Sequence, residues 1–415
     1  MTYVSPGDLS GQDRRPTQEF EVIVAGGGPV GAVAAFLLAR AGVHVLLLEA
    51  GSTSAMDLRA STLHPPTLDM LSDMGLLERL LPQGLRAPVF QYRNMATGDI
   101  VTLDMAELAD RTAHPYRLQC EQWKLAQLAS AEVGAHPSGT VLFSHRLVSF
   151  SQDESGVIVH AETAFTIESF RARYLVACDG GNSIIRKWLG IEFEGFTYPE
   201  KFLCLSTDHA FENDLHDLAY VNYIADPTQW MVLLRTPSVW RILVPASQMD
   251  PDDLLLSDAT KNAVIGRLVA DHSEEVLTEH RTIYRVHQRV AQDYRQGRVL
   301  LAGDAAHLNN PLGGFGMNSG IHDVWNLTQK LTSVLRQRQA DGILDLYTRQ
   351  RQTVMREFVQ SQSIRNKKML EMSAEESGRA YETELRQIVA DPKRRKDYLM
   401  TQSMYRSLER EAEIH

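Results

Sequence analysis

Apolar and polar positions change their rhythm several times along this chain. Phe20 to Ala25 is an apolar run ending in glycines, helix-spaced PVGAVAAFLLARAG follows, and His44 to Leu48 is apolar again. That order predicts strand, helix and strand in one βαβ unit. Helical spacing recurs from Thr67 to Leu80 and from Gln122 to Val133, and Arg173 to Ala177 reads as a buried strand. From Val141 to Val159 the pattern alternates, with turn-formers at Gln152 to Gly156, which predicts a hairpin or small antiparallel sheet.

Between Ile191 and Tyr284 three strand-like runs, LAYVNYIAD, QWMVLLR and SVWRILVP, are separated by turn-formers. They predict a mixed or antiparallel sheet inserted between two pieces of the first domain. Val299 to Ala302 predicts a further buried strand that stops on Gly303-Asp304. A turn through Pro311, Gly313, Gly314 and Gly316 then leads into a helix starting near Met317, and beyond Leu327 the chain reads helical to its end. The expected class is α/β: a Rossmann-like domain, an inserted mixed or antiparallel sheet domain, and C-terminal helices.

The 415 residues suffice for a sizeable core in two interlocked domains. A net charge of −10 argues against a nucleic-acid surface, which needs a basic stripe. Cys120, Cys178 and Cys204 are too few and too scattered for a disulfide framework or a metal knuckle, so no metal is expected and a reducing cytoplasm is. The longest uncharged stretch, Ala25 to Ala39, falls short of the roughly 20 apolar residues a membrane span needs. The first eighteen residues are polar and read as a flexible lead-in without a signal peptide's apolar region.

Gly26-Gly27-Gly28-Pro29-Val30-Gly31 fits G-x-G-x-x-G between a strand and a helix, and Glu49 ends the next strand. The first glycine permits the tight turn, the second lets a pyrophosphate approach the backbone, and the third lets helix and strand pack closely. A carboxylate at Glu49 suits both ribose hydroxyls and repels a 2′-phosphate. Cys178-Asp179-Gly180-Gly181-Asn182-Ser183-Ile184-Ile185-Arg186 again follows a strand, and Gly303-Asp304 ends another. Alone, Asp-Gly at a strand end is more often a plain turn.

Taken together and in this order, these three segments resemble the single-component (class A) FAD-dependent aromatic hydroxylases of the para-hydroxybenzoate hydroxylase type, over about residues 18–360. The resemblance implies FAD as cofactor, NADH or NADPH as co-substrate, O2, and hydroxylation of an electron-rich aromatic through a flavin C4a-hydroperoxide. It implies that Gly26, Gly28 and Gly31, with Pro29 and Val30, hold the pyrophosphate, and that Glu49 and Ala50 meet the adenosine ribose. Arg59 matches a flavin-contacting arginine and Gln122 a glutamine at the ribityl region. Asp179, Gly180 and Arg186 are implied in FAD and nicotinamide binding, Gly303 and Asp304 in holding the ribityl chain or ribose. Pro311 is expected to line the reaction cavity through its carbonyl. The amides around Gly314, Gly316, Met317 and Asn318 are expected to face the flavin's pyrimidine edge, where a helix start supplies about half a positive charge.

The implied domains are 18–190 for the first FAD-binding part, with a small hairpin sheet at about 88–118 and 141–172, then 191–284 for substrate. The second FAD-binding part is 285–340, and 341–415 forms the C-terminal helices. The pattern departs from the family where Asn310 precedes Pro311; Asn309 and Asn310 read as caps of the turn in preference to amide donors into the cavity, His307 as a structural hydrogen-bonder, His322 and Trp325 as packing residues. A second G-x-G-x-x-G, a redox CxxC and the halogenase W-x-W-x-I-P are absent, Trp240 to Pro245 lacking the first tryptophan. A FAD-dependent reductase or dehydrogenase, and a non-catalytic FAD-binding redox protein, stay open as alternatives. For the aromatic substrate, a phenol, hydroxypyridine or polyketide-like ring, Tyr223, Arg235, Arg241 and His287 are candidate pocket residues, an Arg pairing with a carboxylate and a Tyr taking a ring proton. A homodimer fits this reading, with no integral membrane segment.

Overall fold

The computed structural model describes residues 18–56, 60–269, 272–372 and 378–415. Arg59 and the polar lead-in lie outside the described residues. The first sheet has the strand order Arg295–Gln296, Val299–Leu301, Ile167–Ala177, Gln18–Ala25, Val45–Leu48, Gly139–Leu142. All pairs after the first are parallel, with Val22 beside both Val45 and Tyr174. Its central strands are apolar and fully buried, in one core with helices Pro29–Arg40 and Phe315–Leu335, which pack against each other. The expected α/β class, with a Rossmann-like first sheet, an inserted second sheet and C-terminal helices, is what the chain adopts.

The second sheet runs His307–Leu308, His280–Ala291, Phe193–Thr207, Trp240–Ser247, Met231–Arg235, Val221–Ala225, Val89–Asn94, Ile100–Asp104. It is antiparallel except where Val89–Asn94 lies parallel to Val221–Ala225, pairing Gln91 with Asn222. A three-stranded sheet of Thr62–Leu63, Arg117–Gln119 and Leu85–Ala87 lies apart from both.

The small hairpin sheet expected from 88–118 together with 141–172 does not exist as one unit. Val89–Asn94 and Ile100–Asp104 complete the second sheet, while Arg146–Gln152 and Val157–Glu162 meander off the long strand Ile167–Ala177 of the first. Each hairpin buries its apolar side where a sheet edge was available, and the edges differ. The second sheet also extends past Tyr284, since His280–Ala291 pairs along Phe193–Thr207 as far as Ala291 with Phe193. The single helix expected over Thr67 to Leu80 is two, Pro65–Asp73 and Leu77–Leu80, divided at Gly75, whose φ of +75° stops a helix. The helix after the glycine turn starts at Phe315, not Met317, because Gly314 takes a left-handed φ of 70° as its cap.

After Leu327 the described chain is helical, the Ile343–Val354 helix passing through a π-helical stretch at Met355–Gln360 into Ser361–Met372. Helices Pro392–Gln402 and Tyr405–Glu413 fold back onto the body. None of the described helices is long and apolar enough to cross a membrane.

Candidate active site

One cleft of about 700 Å³ runs from the G-x-G-x-x-G turn to the inner face of the second sheet. Gly26, Gly28, Pro29, Val30, Gly31, Glu49, Ala50, Gln122, Asp179, Gly180, Asp304, Pro311, Gly314, Gly316, Met317 and Tyr223 all line it. Residues far apart in sequence thus meet on one surface.

At one end, the helix Pro29–Arg40 opens with proline in its first turn, so its free amides point into the cleft. A Cβ at Gly26 would fall 2.3 Å from the Cys178 carbonyl oxygen and one at Gly31 only 1.9 Å from the Gly26 oxygen. The carboxylate of Glu49 accepts the Gly27 N–H at 2.6 Å and the Gly51 N–H at 2.7 Å. One lone pair on each oxygen is left for hydroxyl donors.

Asp179 accepts the Ile184 N–H at 2.9 Å through Oδ2, while its buried Oδ1 has no hydrogen-bond partner among the described residues. Burial pushes this carboxyl above its ordinary range despite the helix-start amides and Ser183. An orphaned buried acceptor facing a glycine cradle is what a polyhydroxylated cofactor would satisfy. These residues therefore fit FAD.

At the other end, the chain turns through Asn309–Gly314. The Asn310 side chain accepts the Leu312 N–H at 3.0 Å and donates to the Tyr198 hydroxyl at 3.0 Å, so it caps the turn. Asn309 lines the cleft with its amide donating to the Asn310 carbonyl at 2.7 Å. The Pro311 carbonyl accepts the Gly314 N–H at 3.0 Å, which leaves one lone pair for the cavity. The first amides of the Phe315–Leu335 helix, Phe315 to Met317, have no acceptor within the helix.

Several expected contacts are set behind the surface instead. Asn318 lies outside the lining; its side chain accepts the His64 N–H at 2.9 Å and donates to the Thr62 and Gly314 carbonyls. Gly303 donates its N–H to Asp323 at 3.0 Å, and its φ of +60° lets the backbone press against Val30. Arg186, expected to touch cofactor, has its guanidinium donating to the Ala305 and Gly181 carbonyls at 2.7 and 2.8 Å, stacked 3.7 Å over Phe193. It clamps the Asp179 turn to the Asp304 turn.

Arg235 and His287 are corrections of another kind. On Met231–Arg235 the cleft receives Val232 and Leu234, so alternation turns Arg235 to the far face, near Trp240. On His280–Ala291 the cleft receives Tyr284, and His287 turns outward to the Thr197 hydroxyl at 2.8 Å. Arg241 does reach the cleft, donating to the Tyr284 hydroxyl at 3.3 Å and to Cys204 sulfur at 3.5 Å.

His307 is structural: its Nε2 meets Asp323 at 2.6 Å, and Asp323 also accepts from Arg351 at 2.8 Å, all fully buried. Glu411, on the last helix, joins Arg351 and ties the C-terminus to this network. His322 packs against the Thr67 hydroxyl at 3.0 Å, and Trp325 packs on the main core. His209, Asp214 and His272 have metal-ligand chemistry and gather within 4.8 Å, none of them lining the cleft.

Two buried polar side chains of the three-stranded sheet region were not singled out in the sequence. His64 is fully buried, and its Nε2 donates to the Gly313 carbonyl at 2.7 Å, since burial and then the Arg117 charge hold it neutral, well below the usual histidine range. Arg117 lines the cleft while 1% exposed. In PYRLQC it alternates with apolar neighbours and reads as a solvent-side residue, because nothing local announces that a second sheet covers that side.

Residues 19–362 match the family model described as FAD binding domain. The chain is 32% identical over 353 residues to para-nitrophenol 4-monooxygenase of Pseudomonas sp. strain WBC-3, covering 83% of this chain and 86% of that protein. It is 30% identical to 6-hydroxy-3-succinoylpyridine 3-monooxygenase of Pseudomonas putida, covering 83% and 88%. The crystal structure of p-nitrophenol 4-monooxygenase from Pseudomonas putida superposes with a TM-score of 0.88 at 29% identity, covering 95% of this chain and 99% of that one. A ternary complex of aklavinone-11 hydroxylase with FAD and aklavinone follows the same fold, at a TM-score of 0.77 and 25% identity over 87% of this chain and 71% of that one. With the glycine cradle, the orphaned Asp179 oxygen and the helix-start amides on one cleft, these likenesses have a common cause: the chain belongs to the class A, FAD-dependent aromatic monooxygenases.

Proposed function

We propose that this FAD-dependent monooxygenase hydroxylates a small phenolic or hydroxypyridine ring, or a polyketide-like aromatic, with NADH or NADPH as reductant. The observation that carries the reading is the single cleft joining the glycine turn at Pro311–Met317 to the sheet face bearing Tyr223, Arg241 and Tyr284. Relatives named for para-nitrophenol and for a hydroxypyridine support a compact hydroxylated ring. When bound, FAD reduced by NAD(P)H and reoxidised by O2 supplies the electrophilic oxygen.

The chain's own residues do the rest. Gly26 to Gly31 and Glu49 hold the adenosine diphosphate half, and Asp179, Asp304 and Gln122 meet the hydroxyls of the linking chain. The amides of Phe315 to Met317 present the positive end of a 21-residue helix to charge at the ring's pyrimidine edge. Pro311 shapes the cavity, and the Tyr223 hydroxyl takes or holds the proton of the substrate's ring hydroxyl. The cofactor unit is assigned to 18–88, 105–190 and 285–340, the substrate unit to 191–284 with 89–104, and 341–415 to the C-terminal helices. The unpaired thiols Cys120, Cys178 and Cys204 support a cytoplasmic setting. A homodimer is part of the proposal, and sedimentation velocity on the holoenzyme decides it.

The test is the ratio of hydroxylated product to NAD(P)H consumed, across nitrophenols, hydroxypyridines and hydroxyphenyl acids. A ratio near one with at least one ring supports the proposal. Consumption that yields a reduced organic product and no hydroxylated ring with any of them would mark a reductase instead.

A further inference from the structure

The charge of Arg117 is unspent. The residue sits on the strand Arg117–Gln119, pairs with Ala87, lines the cleft and is 1% exposed. Its Nε, Nη1 and Nη2 are all buried without a hydrogen-bond partner among the described residues. The Phe90 ring centroid lies 4.1 Å from the guanidinium carbon, and the charge also bears on buried, neutral His64. Phe90 in turn meets Tyr223 edge-on, at 6.4 Å and 86°. Arg351, the other fully buried arginine among the described residues, is by contrast neutralised by Asp323 and Glu411.

A buried guanidinium with five idle donors and only a ring face against it is costly unless a ligand supplies the counter-charge. Cation–π contact with Phe90 accounts for one face of the fork and leaves its edge open. That edge has planar, two-oxygen anions as its best geometric match. The position selects the ligand. Phe90 and Tyr223 belong to the second sheet and share a buried cluster with Leu312, so Arg117 stands where the substrate wall meets the glycine turn, while the pyrophosphate is served by the amides of the Pro29–Arg40 helix.

Resting on the hydroxylase reading, we infer that Arg117 anchors a planar two-oxygen substituent of the aromatic substrate that carries negative charge: a carboxylate, or the nitro group of a nitrophenolate. The ring packs by Phe90 and Tyr223, and Arg117 sets which ring edge faces the flavin. It is a specificity-determining residue that touches substrate and moves no proton.

The experiment uses FAD-loaded enzyme, wild type, Arg117→Met and Arg117→Lys. Binding is read from perturbation of the flavin absorbance by matched ligands: 4-hydroxybenzoate against 4-hydroxybenzamide, and para-nitrophenol against 4-hydroxyacetophenone. The expected result is that at least one oxyanion ligand binds the wild type tenfold or more tighter than its neutral partner. Arg117→Met then weakens that ligand by ten- to a hundredfold and shifts the neutral partner less than twofold, while Arg117→Lys recovers part of the loss. Whichever pair responds separates carboxylate from nitro recognition.

A second readout needs no ligand. Arg117→Met removes an uncompensated buried charge at similar volume, so the apoprotein should melt at or above the wild-type temperature. Unchanged oxyanion binding in Arg117→Met, equal loss for charged and neutral ligands, a fall in FAD affinity, or a destabilised apoprotein would each overturn the inference. Should oxyanions bind through Arg117 while no ring is hydroxylated, the anchor stands and the hydroxylase reading falls. Should Arg117→Met hydroxylate the oxyanion substrate at the wild-type kcat/KM, the anchor falls and the hydroxylase reading stands.

Discussion

Replacing Gly28 with alanine separates folding from cofactor binding. Gly28 has φ −67° and ψ 177°, a conformation open to any residue, and an added Cβ would meet nothing within 4 Å. Its neighbours in the motif differ, since a Cβ at Gly26 or Gly31 runs into backbone at 2.3 or 1.9 Å. The space in front of Gly28 is therefore kept for a ligand and not for packing. A methyl group there holds a pyrophosphate off the first helix amides and breaks at least one hydrogen bond to a charged group, about 1.5–3 kcal/mol. At about 1.4 kcal/mol per factor of ten, the Kd for FAD rises roughly 10- to 150-fold. The assay is fluorescence titration of apoprotein with FAD, paired with denaturant unfolding of the same apoprotein. Stability should stay within about 1 kcal/mol, the scale of an N-cap change, whereas Gly31→Ala should fail to fold. Wild-type FAD affinity in Gly28→Ala would refute the placement of the pyrophosphate at this helix start.

Other outcomes follow from the same geometry. Asp304→Ala should release FAD or abolish its reduction by NAD(P)H, because the carboxylate lines the cleft at the end of a parallel strand; a mutant that keeps bound flavin and full coupling would remove Asp304 from the site. Arg235→Met and His287→Gln should leave kcat/KM within about twofold of wild type, since neither side chain reaches the cleft; a tenfold loss in either would restore it to the pocket. Burial holds His64 well below the usual histidine range, and burial followed by Arg351 brings His322 down to about 3. Both are neutral in the folded state, so below about pH 6.5 the unfolded chain binds protons that the folded chain does not. Stability is present above that pH and falls by about 1.4 kcal/mol per unit for each histidine as pH drops. Chemical denaturation at pH 7.5 and 5.5 measures the slope, and His322→Gln should reduce it.

Legibility in the sequence divides by range. Gly26 to Gly31, Glu49 and the turn at Pro311–Gly316 are local devices, in which spacing alone dictates a strand end, a tight turn and a helix start, and all of these line the cleft. Asn310 as a cap and His307 as a structural partner also follow from neighbours in the chain or one helix away. The faces of strands are harder. Arg235 and Arg241 both sit in strand runs, but their register in the sheet decides that only Arg241 points inward. Arg186 reads as a ligand-binding cation because its clamp partner, Ala305, is more than a hundred residues away. Arg117 reads as exposed because the sheet that buries it is assembled from other segments. The split of Thr67–Leu80 at Gly75 was visible in principle, the glycine being there to see, yet helical spacing on either side obscured it.

The parallel seam between Val89–Asn94 and Val221–Ala225 governs how this enzyme can be re-engineered. Pairing two strands so distant in sequence carries a large loop-closure cost and forms the wall of the substrate cavity from separate stretches of chain. Excising 191–284 as a module would strip Val221–Ala225 of its partner and leave a bare apolar edge prone to pairing between copies. Exchanging substrate preference between relatives by grafting that segment alone will fail for the same reason. A working chimera must carry residues 89–104 with it, along with Phe90 and the ring it presents to Arg117.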